Sequence, residues 1–349
     1  MQEQFEVVVM GGGPAGAVTA LCLSRSGWRV ALFERKSFRE VRPGETLPPE
    51  INPVLQSLGL WESFLLQHPL ESPGMISIWG NSVPSEVDFI GNPFGYGWHV
   101  DRKRFDAMLC GEAASAGARL FLNRSVRWTR EGGVWRAKNL CSNILVDATG
   151  RNRLLLDDES NREREDLLLA FVLRIFNWRR GPLDLRTCVE STSAGWWYST
   201  LLPDRTGVAM FFTDPELYRE VRTSLPDLLR AAPLTSKRLD GGRMEEPRIV
   251  HVPSGRRKKV FETDWVAVGD SASSYDPLSG RGIVKALRHG QAAAQAIDAR
   301  LRGIPTRMDQ YAAQVQREFE QYAQQRQSYY SLEQRWTDQP FWRRRRTGK

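Results

Sequence analysis

Cysteine and histidine are scarce in this chain, with four of each among 349 residues. Cys22, Cys110, Cys141 and Cys188 lie far apart and form no C-x-x-C pair. His68, His99, His251 and His289 do not join them at metal-ligand spacing. A disulfide scaffold is therefore excluded, and no metal ligands are assigned. No apolar run reaches the roughly eighteen residues of a membrane span. After Met1–Gln4 the chain enters a strand without a signal-peptide pattern, so a reducing, cytoplasmic location is expected. Charge of one sign is not in bulk excess: 49 Lys+Arg stand against 41 Asp+Glu, for a net +8. Five of the positive charges fall in Arg343–Lys349, and without them the net charge is +3. No basic stripe remains for nucleic acid. The tail reads as a solvated end, or as a steering element toward a polypeptide partner.

What is present is the composition of a globular protein, 41% hydrophobic and 26% charged, long enough for one large or two modest domains. Phe5–Met10 is a short, β-branched apolar run and reads as a buried strand. Gly11-Gly-Gly13-Pro-Ala15-Gly16 follows at once, then a helical pattern over Ala17–Ser26, then a second strand, Trp28–Phe33, ending at Glu34. Strand, G-x-G-x-x-G, helix, strand and acid form one unit of about thirty residues. Gly11 permits the tight turn. Gly13 lets backbone approach a pyrophosphate, and Gly16 lets helix and strand pack closely. The helix N-terminus offers unpaired N–H groups and its positive dipole end to the phosphates. Glu34 can accept hydrogen bonds from ribose hydroxyls. Ala15 and Arg35 are taken with these as cofactor-side residues. No second such unit is visible.

Two later segments distinguish among dinucleotides. Asn143–Val146 is a strand leading into Asp147-Ala-Thr-Gly150. Trp265–Val268 is another, leading into Gly269-Asp270 and then Asp276-Pro277-Leu-Ser-Gly280-Arg-Gly282-Ile283, before a helix over Val284–Leu301. In this order the motifs resemble the FAD-binding fold of the glutathione-reductase/p-hydroxybenzoate-hydroxylase superfamily. The block Asp101-Arg102…Phe105-Asp106…Leu109 resembles its "DR…FD…L" element, in which an Arg at the position of Arg102 reaches the FAD. The resemblance implies that Asp147 and Gly150, in the "DATG" segment, bind the cofactor. It also implies that Asp270 contacts the ribityl chain, and that Pro277, Gly280, Gly282 and Ile283 form the loop beside the isoalloxazine.

Within that superfamily, Arg42-Pro-Gly-Glu45-Thr-Leu-Pro48, Gly195-Trp-Trp-Tyr198-Ser-Thr-Leu-Leu-Pro203 and Tyr329-Tyr…Glu333…Trp336…Phe341-Trp342 resemble the tryptophan-halogenase-like group. The nearest resemblance is to the shorter flavoprotein maturases of tryptophylquinone enzymes, of the lysine-oxidase and glycine-oxidase maturase type. Two departures stand against halogenation. No lysine occurs between Lys36 and Lys103, where a halogenase needs one, and Tyr198 and Thr200 stand where its W-x-W-x-I-P tryptophans would be. The resemblance thus implies an FAD-dependent monooxygenase that hydroxylates an aromatic, with a tryptophan of a quinoprotein precursor as polypeptide substrate. Electrons would come from NAD(P)H or a separate reductase. A flavin halogenase, an isoprenoid reductase and a non-catalytic flavin-binding assembly chaperone are the alternatives.

Glu45, His99 and Tyr198 are the candidate catalytic residues. Glu45 can act as a base or orient a donor, or it can cap a helix beginning near Pro48. His99 can reach the pocket or be a satisfied structural histidine. Trp79, Trp98, Trp196 and Trp197 are candidates for an aromatic wall, with Trp197 and Tyr198 preferred.

The expected fold is α/β: a Rossmann-like FAD domain of the glutathione-reductase type with an inserted antiparallel substrate sheet and a C-terminal helix. The FAD domain is expected over 1–70, 96–165 and 256–302, and the substrate domain over 71–95 and 166–255. Residues 303–349 are expected to form a terminal helix with a basic tail. Helical spacing puts Met308, Tyr311, Val315, Phe319, Tyr322 and Tyr329 on one face. Short helices are expected over Asp214–Arg222 and Leu225–Ala231, and the charged stretch 151–165 should be exposed.

Overall fold

The computed structural model describes residues 3–40, 42–152, 159–177 and 184–346. Part of the charged stretch, 153–158, and the last three residues of the basic tail lie outside them. Among the described residues no helix is long and apolar enough to cross a membrane.

One sheet is parallel at its centre, in the spatial order Arg119–Leu122, Val30–Glu34, Glu3–Met10, Leu140–Asp147, Trp265–Ala267. An antiparallel meander, Val134–Ala137 and Thr129–Glu131, pairs with the opening half of Leu140–Asp147. These central strands are apolar almost throughout because both faces are covered. The helices Pro14–Arg25 and Gly282–Leu301 pack on one another and bury Ala17, Val18, Leu21, Leu287, Ala293 and Ile297. Register decides where the loops emerge. Met10 pairs with Phe33 and with Asp147, and Asp147 pairs with Ala267. The strands therefore end abreast, and Gly11–Gly16, Glu34, Ala148–Gly150 and Gly269–Asp270 open along one carboxyl edge, where doubly wound sheets bind ligands.

The second sheet has the order Arg243–Met244, Leu169–Phe176, Gly207–Thr213, Gly195–Leu201, Thr187–Thr192, Gly74–Ile78, Ser85–Asp88, with Arg248–His251 also beside Leu169–Phe176. The expected antiparallel pairing holds except at one junction. Thr187–Glu190 runs parallel to Met75–Ile78 because the latter arrives from a distant part of the chain rather than through a hairpin.

Three expectations about helices change. Asp214–Arg222 and Leu225–Ala231 are not two helices. A 3₁₀ turn, Pro215–Leu217, leads into one helix, Tyr218–Arg230, which runs through Pro226. Val221 and Leu225, buried on either side of the break, anchor it as a single element. The C-terminal helix spans Thr306–Leu332, and its buried face ends on Arg326 and Tyr330, while Tyr329 is exposed. The stripe follows four-residue steps through 322, 326 and 330, and a charged residue in its middle concealed it. Finally, the described part of the basic tail is not simply a solvated end, although Arg343 and Arg346 are exposed. Pro340–Arg346 is a helix with Phe341, Trp342 and Arg345 buried. Arg345 Nη2 lies 2.8 Å from Asp166, at the end of the short strand Arg162–Asp166, and 2.7 Å from Asp214, just past the second sheet's Gly207–Thr213, and Arg344 Nη2 lies 2.6 Å from Asp166. Trp342 Nε1 donates to the Thr192 carbonyl at 2.8 Å. Arg344 and Arg345 are thus spent on ion pairs with Asp166 and Asp214.

Candidate functional site

A single cavity of about 1160 Å³ runs from the phosphate-loop edge of the first sheet to the inner face of the second. At one end its wall is Gly11, Gly13, Pro14 and Ala15. A Cβ on Gly11 would lie 2.2 Å from the Ala148 carbonyl oxygen, and one on Gly16 would lie 2.0 Å from that of Gly11, so backbone fills both positions. Gly16 therefore supports the loop without lining the cavity. Gly13 is different: a Cβ there meets nothing within 4 Å. It is the N-cap of Pro14–Arg25, with Pro14 at the first helical position. The loop thus presents backbone and a helix N-terminus to open space, as an anionic diphosphate requires.

Glu34 lines the cavity beside Arg35. Glu34 Oε2 accepts the Gly12 N–H at 2.9 Å, which ties the acid to the loop. A charged network unnoticed in the sequence continues from it. Arg42 bridges Glu34 (3.2 Å) and Asp106 (3.0 Å), and Asp106 also accepts from Arg102 Nε at 3.1 Å. Arg102 Nη1 donates to the Pro43 carbonyl at 2.6 Å, so it braces the 43–46 strap over the cavity.

At the sheet's other loops, Thr149, Gly150, Arg151 and Asp270 line the cavity. Asp147 does not, which corrects its expected contact with the cofactor. It is buried, accepts from the Thr149 N–H and hydroxyl at 3.0 and 2.7 Å, and pairs with Arg257 at 2.8 Å. Its part is to shape the turn that Gly150 completes. Asp270 lies 2.7 Å from Lys285 Nζ and 3.2 Å from Arg151 Nε. Burial pushes its carboxyl up, but the two cations outweigh this and hold it at about 2. Beyond it, Pro277, Gly280, Gly282 and Ile283 all line the cavity. A Cβ at Gly280 or Gly282 meets nothing within 4 Å, and Gly282 opens the helix Gly282–Leu301.

The opposite wall is aromatic. In Gly195–Leu201 alternation sends Trp196 and Tyr198 to the cavity, joined by Met210 and Phe212 of the neighbouring strand. The same alternation sends Trp197 to the other face, where its indole donates to the Leu228 carbonyl at 3.2 Å. Trp98 is also core, donating to Asn52 at 2.7 Å, so neither forms the expected wall.

Glu45 enters the cavity from the strap. Its Oε2 accepts the Gly44 N–H at 2.8 Å, and its Oε1, though buried, has no partner among the described residues. It does not cap a helix: the next one, Ile51–Ser57, has Glu50 at its N-cap. Burial raises the Glu45 pKa above the ordinary value, beyond what the Gly44 N–H offsets, and favours the neutral acid. Tyr198 donates to or accepts from Thr46 Oγ1 at 2.6 Å. Burial and the nearby Glu45 push its phenol up, so it stays protonated. His99 is the correction here: it lies behind the wall, wholly buried. Its Nδ1 is 2.9 Å from Thr200 Oγ1 and 3.2 Å from Thr46 Oγ1, and its Nε2 is 2.7 Å from the Leu185 carbonyl. Burial holds its pKa at about 4, so it is a neutral prop for the hydroxyls.

The open cradle at Gly13, Gly280 and Gly282, with Glu34 and Asp270 between, fits an extended dinucleotide. Fold and cavity together define an FAD-dependent oxidoreductase. The chain belongs to the tryptophan halogenase family, whose model matches residues 80–349, and an FAD binding domain model matches residues 4–139. LodB of Marinomonas mediterranea, assigned as an FAD-dependent oxidoreductase, is 27% identical over 98% of this chain and 97% of its own. The myxobacterial chondrochloren halogenase CndH has the same fold at TM-score 0.85 and 22% identity, over 98% of this chain and 86% of its own. The peptidyl tryptophan dihydroxylase QhpG, essential for tryptophylquinone cofactor biogenesis, does so at TM-score 0.79 and 24% identity, over 98% and 78%.

Proposed function

We propose that this chain is an FAD-dependent monooxygenase that hydroxylates an aromatic ring, and that the ring is a tryptophan side chain of a precursor polypeptide in tryptophylquinone biogenesis. The observation that carries the reading is the aromatic wall of Trp196, Tyr198 and Phe212, which shares one cavity with the phosphate loop and with a buried Glu45 whose Oε1 has no partner among the described residues. The likeness to QhpG supports the choice of a peptidyl tryptophan.

FAD would be held by Gly11, Gly13 and Ala15 at the diphosphate, Glu34 and Arg35 at the ribose end, and Asp270 at the ribityl chain. Gly150, Arg102, Pro277, Gly280, Gly282 and Ile283 would surround the rest. When bound and reduced, it supplies the electrons and the activation of O₂. Reducing equivalents reach it from outside the chain, as NAD(P)H or through a separate reductase. The overall change balances as ring C–H plus O₂, NAD(P)H and H⁺ giving ring C–OH, H₂O and NAD(P)⁺. Trp196, Met210 and Phe212 stack the substrate ring and exclude water. Glu45 Oε1 is placed to exchange a hydrogen bond with a polar ring atom and to pass a proton. Tyr198, held by Thr46, orients the ring's edge.

Halogenation is the second reading, favoured by the family match. Against it, the lysine on the cavity wall among the described residues is Lys36, paired with Glu40 near Glu34 and away from the aromatic wall. The test is to incubate the protein with FAD, NADH, a flavin reductase, O₂ and a quinone-oxidase precursor, with and without bromide, and to map the product by mass spectrometry. Oxygen on one tryptophan is expected in both buffers. Bromine on the indole would replace the hydroxylase reading with the halogenase.

A further inference from the structure

The loop that begins at Asp276 is gripped from outside the cavity by the C-terminal helix. The Asp276 N–H donates to Tyr322 Oη at 2.7 Å. Arg326 Nε donates to Asp276 Oδ2 at 3.3 Å, and Tyr330 Oη donates to the same oxygen at 2.9 Å. Residues 322, 326 and 330 are successive turns of one helix face, so the grip is a ladder built by the four-residue repeat. Asp276 passes the constraint on: its Oδ1 accepts the Leu278 N–H at 2.9 Å, which fixes the turn Pro277–Ser279 before Gly280 and Gly282.

Tyr330 also holds the second sheet, while Arg326 holds the end of a separate short strand, Arg162–Asp166. Arg326 pairs with Asp166, and Tyr330 Oη accepts from Trp196 Nε1 at 3.1 Å. Tyr330 therefore uses its oxygen as an acceptor toward the aromatic wall and its proton as a donor toward the loop. Both of its partners, Trp196 and Asp276, line the cavity, while Tyr330 itself does not. Tyr330 is fully buried, and Arg326 and Arg345 lie over its ring at 4.9 and 5.2 Å, so it has little freedom to turn.

We propose that Tyr330 is a positioning residue: it sets the loop Asp276–Gly282 relative to Trp196, and so fixes the flavin ring against the substrate wall. The proposal rests on FAD occupying the cavity as read above. The Trp196–Tyr330–Asp276 chain is a direct connection, made of two hydrogen bonds, between the substrate wall and the flavin loop.

The test uses the full chain loaded with FAD and compares Y330F, D276N, the double variant and Y329F, whose side chain is exposed. Each is read by FAD dissociation constant, by the visible absorption bands of the bound flavin and by its reduction potential. Y330F should weaken FAD by about tenfold, as loss of a hydrogen bond to a charged group does, and should shift the bands and the potential. Y329F should match the wild type. The double variant should look like D276N alone, because Tyr330 acts through Asp276. If Y330F does not fold, D276N with its spectrum and potential carries the same test from the loop's side. Bands and potential unchanged in Y330F, or in D276N, would overturn the proposal, and so would additive effects in the double variant. A wild-type chain that binds no FAD would instead remove the flavin reading on which it rests.

Discussion

Tyr198 Oη and Thr46 Oγ1 lie 2.6 Å apart, and this contact joins the second sheet to the strap that carries Glu45. Thr46 is itself held by His99, whose burial keeps it neutral. The phenol is thus fixed in place without any charged partner, and it faces the cavity. Y198F should fold and bind FAD as the wild type does but lose roughly tenfold in kcat, the worth of one well-made hydrogen bond to the substrate edge. FAD titration and single-turnover kinetics separate the two effects.

Glu45 offers a test by pH. Its folded pKa lies above the ordinary 4.5, so its contribution to stability is complete below that value and is lost as pH rises through the folded pKa. E45Q mimics the neutral acid and carries no such loss. The stability of E45Q relative to wild type should therefore increase as pH rises above the ordinary 4.5 and through the folded pKa, as read by thermal unfolding. Its hydroxylation rate should fall by about a hundredfold if Glu45 moves a proton.

Gly13 separates binding from folding. Its φ of −77° and ψ of 177° suit any residue, and a Cβ there points into open cavity. G13V should unfold at the wild-type temperature yet show no oxidised-flavin spectrum after reconstitution with FAD. A normal spectrum in G13V would mean that the diphosphate lies elsewhere.

Arg345 tests the corrected reading of the basic tail. It is buried between Asp166 and Asp214, so R345A leaves two acids short of a partner. Arg326 and Arg344 still face these acids, so the expected cost is about 1–3 kcal/mol, seen as a lower denaturation midpoint. R343A, at the exposed start of the run, should cost far less.

The phosphate loop could be read from sequence because its geometry is local: glycine spacing, helix start and acid all fall within one βαβ unit. The aromatic face of Gly195–Leu201 was half readable. Period-two alternation separates Trp196 from Trp197, but only pairing with Gly207–Thr213 shows which face meets the cavity. Arg42, Asp106 and Thr200 stand in legible motifs, but their roles rest on contacts between distant segments, Arg42 with Asp106 and Thr200 with His99. Asp147 shows the opposite limit. Its motif was recognised, yet its carboxyl is taken by Arg257, 110 positions along the chain. The tail is opaque for the same reason: composition reports five charges, while the acids that pair with Arg344 and Arg345 sit at Asp166 and Asp214.

Isotope labelling tests the central claim most directly. The FAD-loaded protein, with NADH, a flavin reductase and a tryptophan-bearing quinoprotein precursor, is run under ¹⁸O₂ in ordinary water, and the peptides are analysed by mass spectrometry. The account predicts ¹⁸O on a single tryptophan ring, dependent on flavin and absent in G13V. An unmodified precursor while NADH and O₂ are consumed, or oxygen drawn from water, would contradict it.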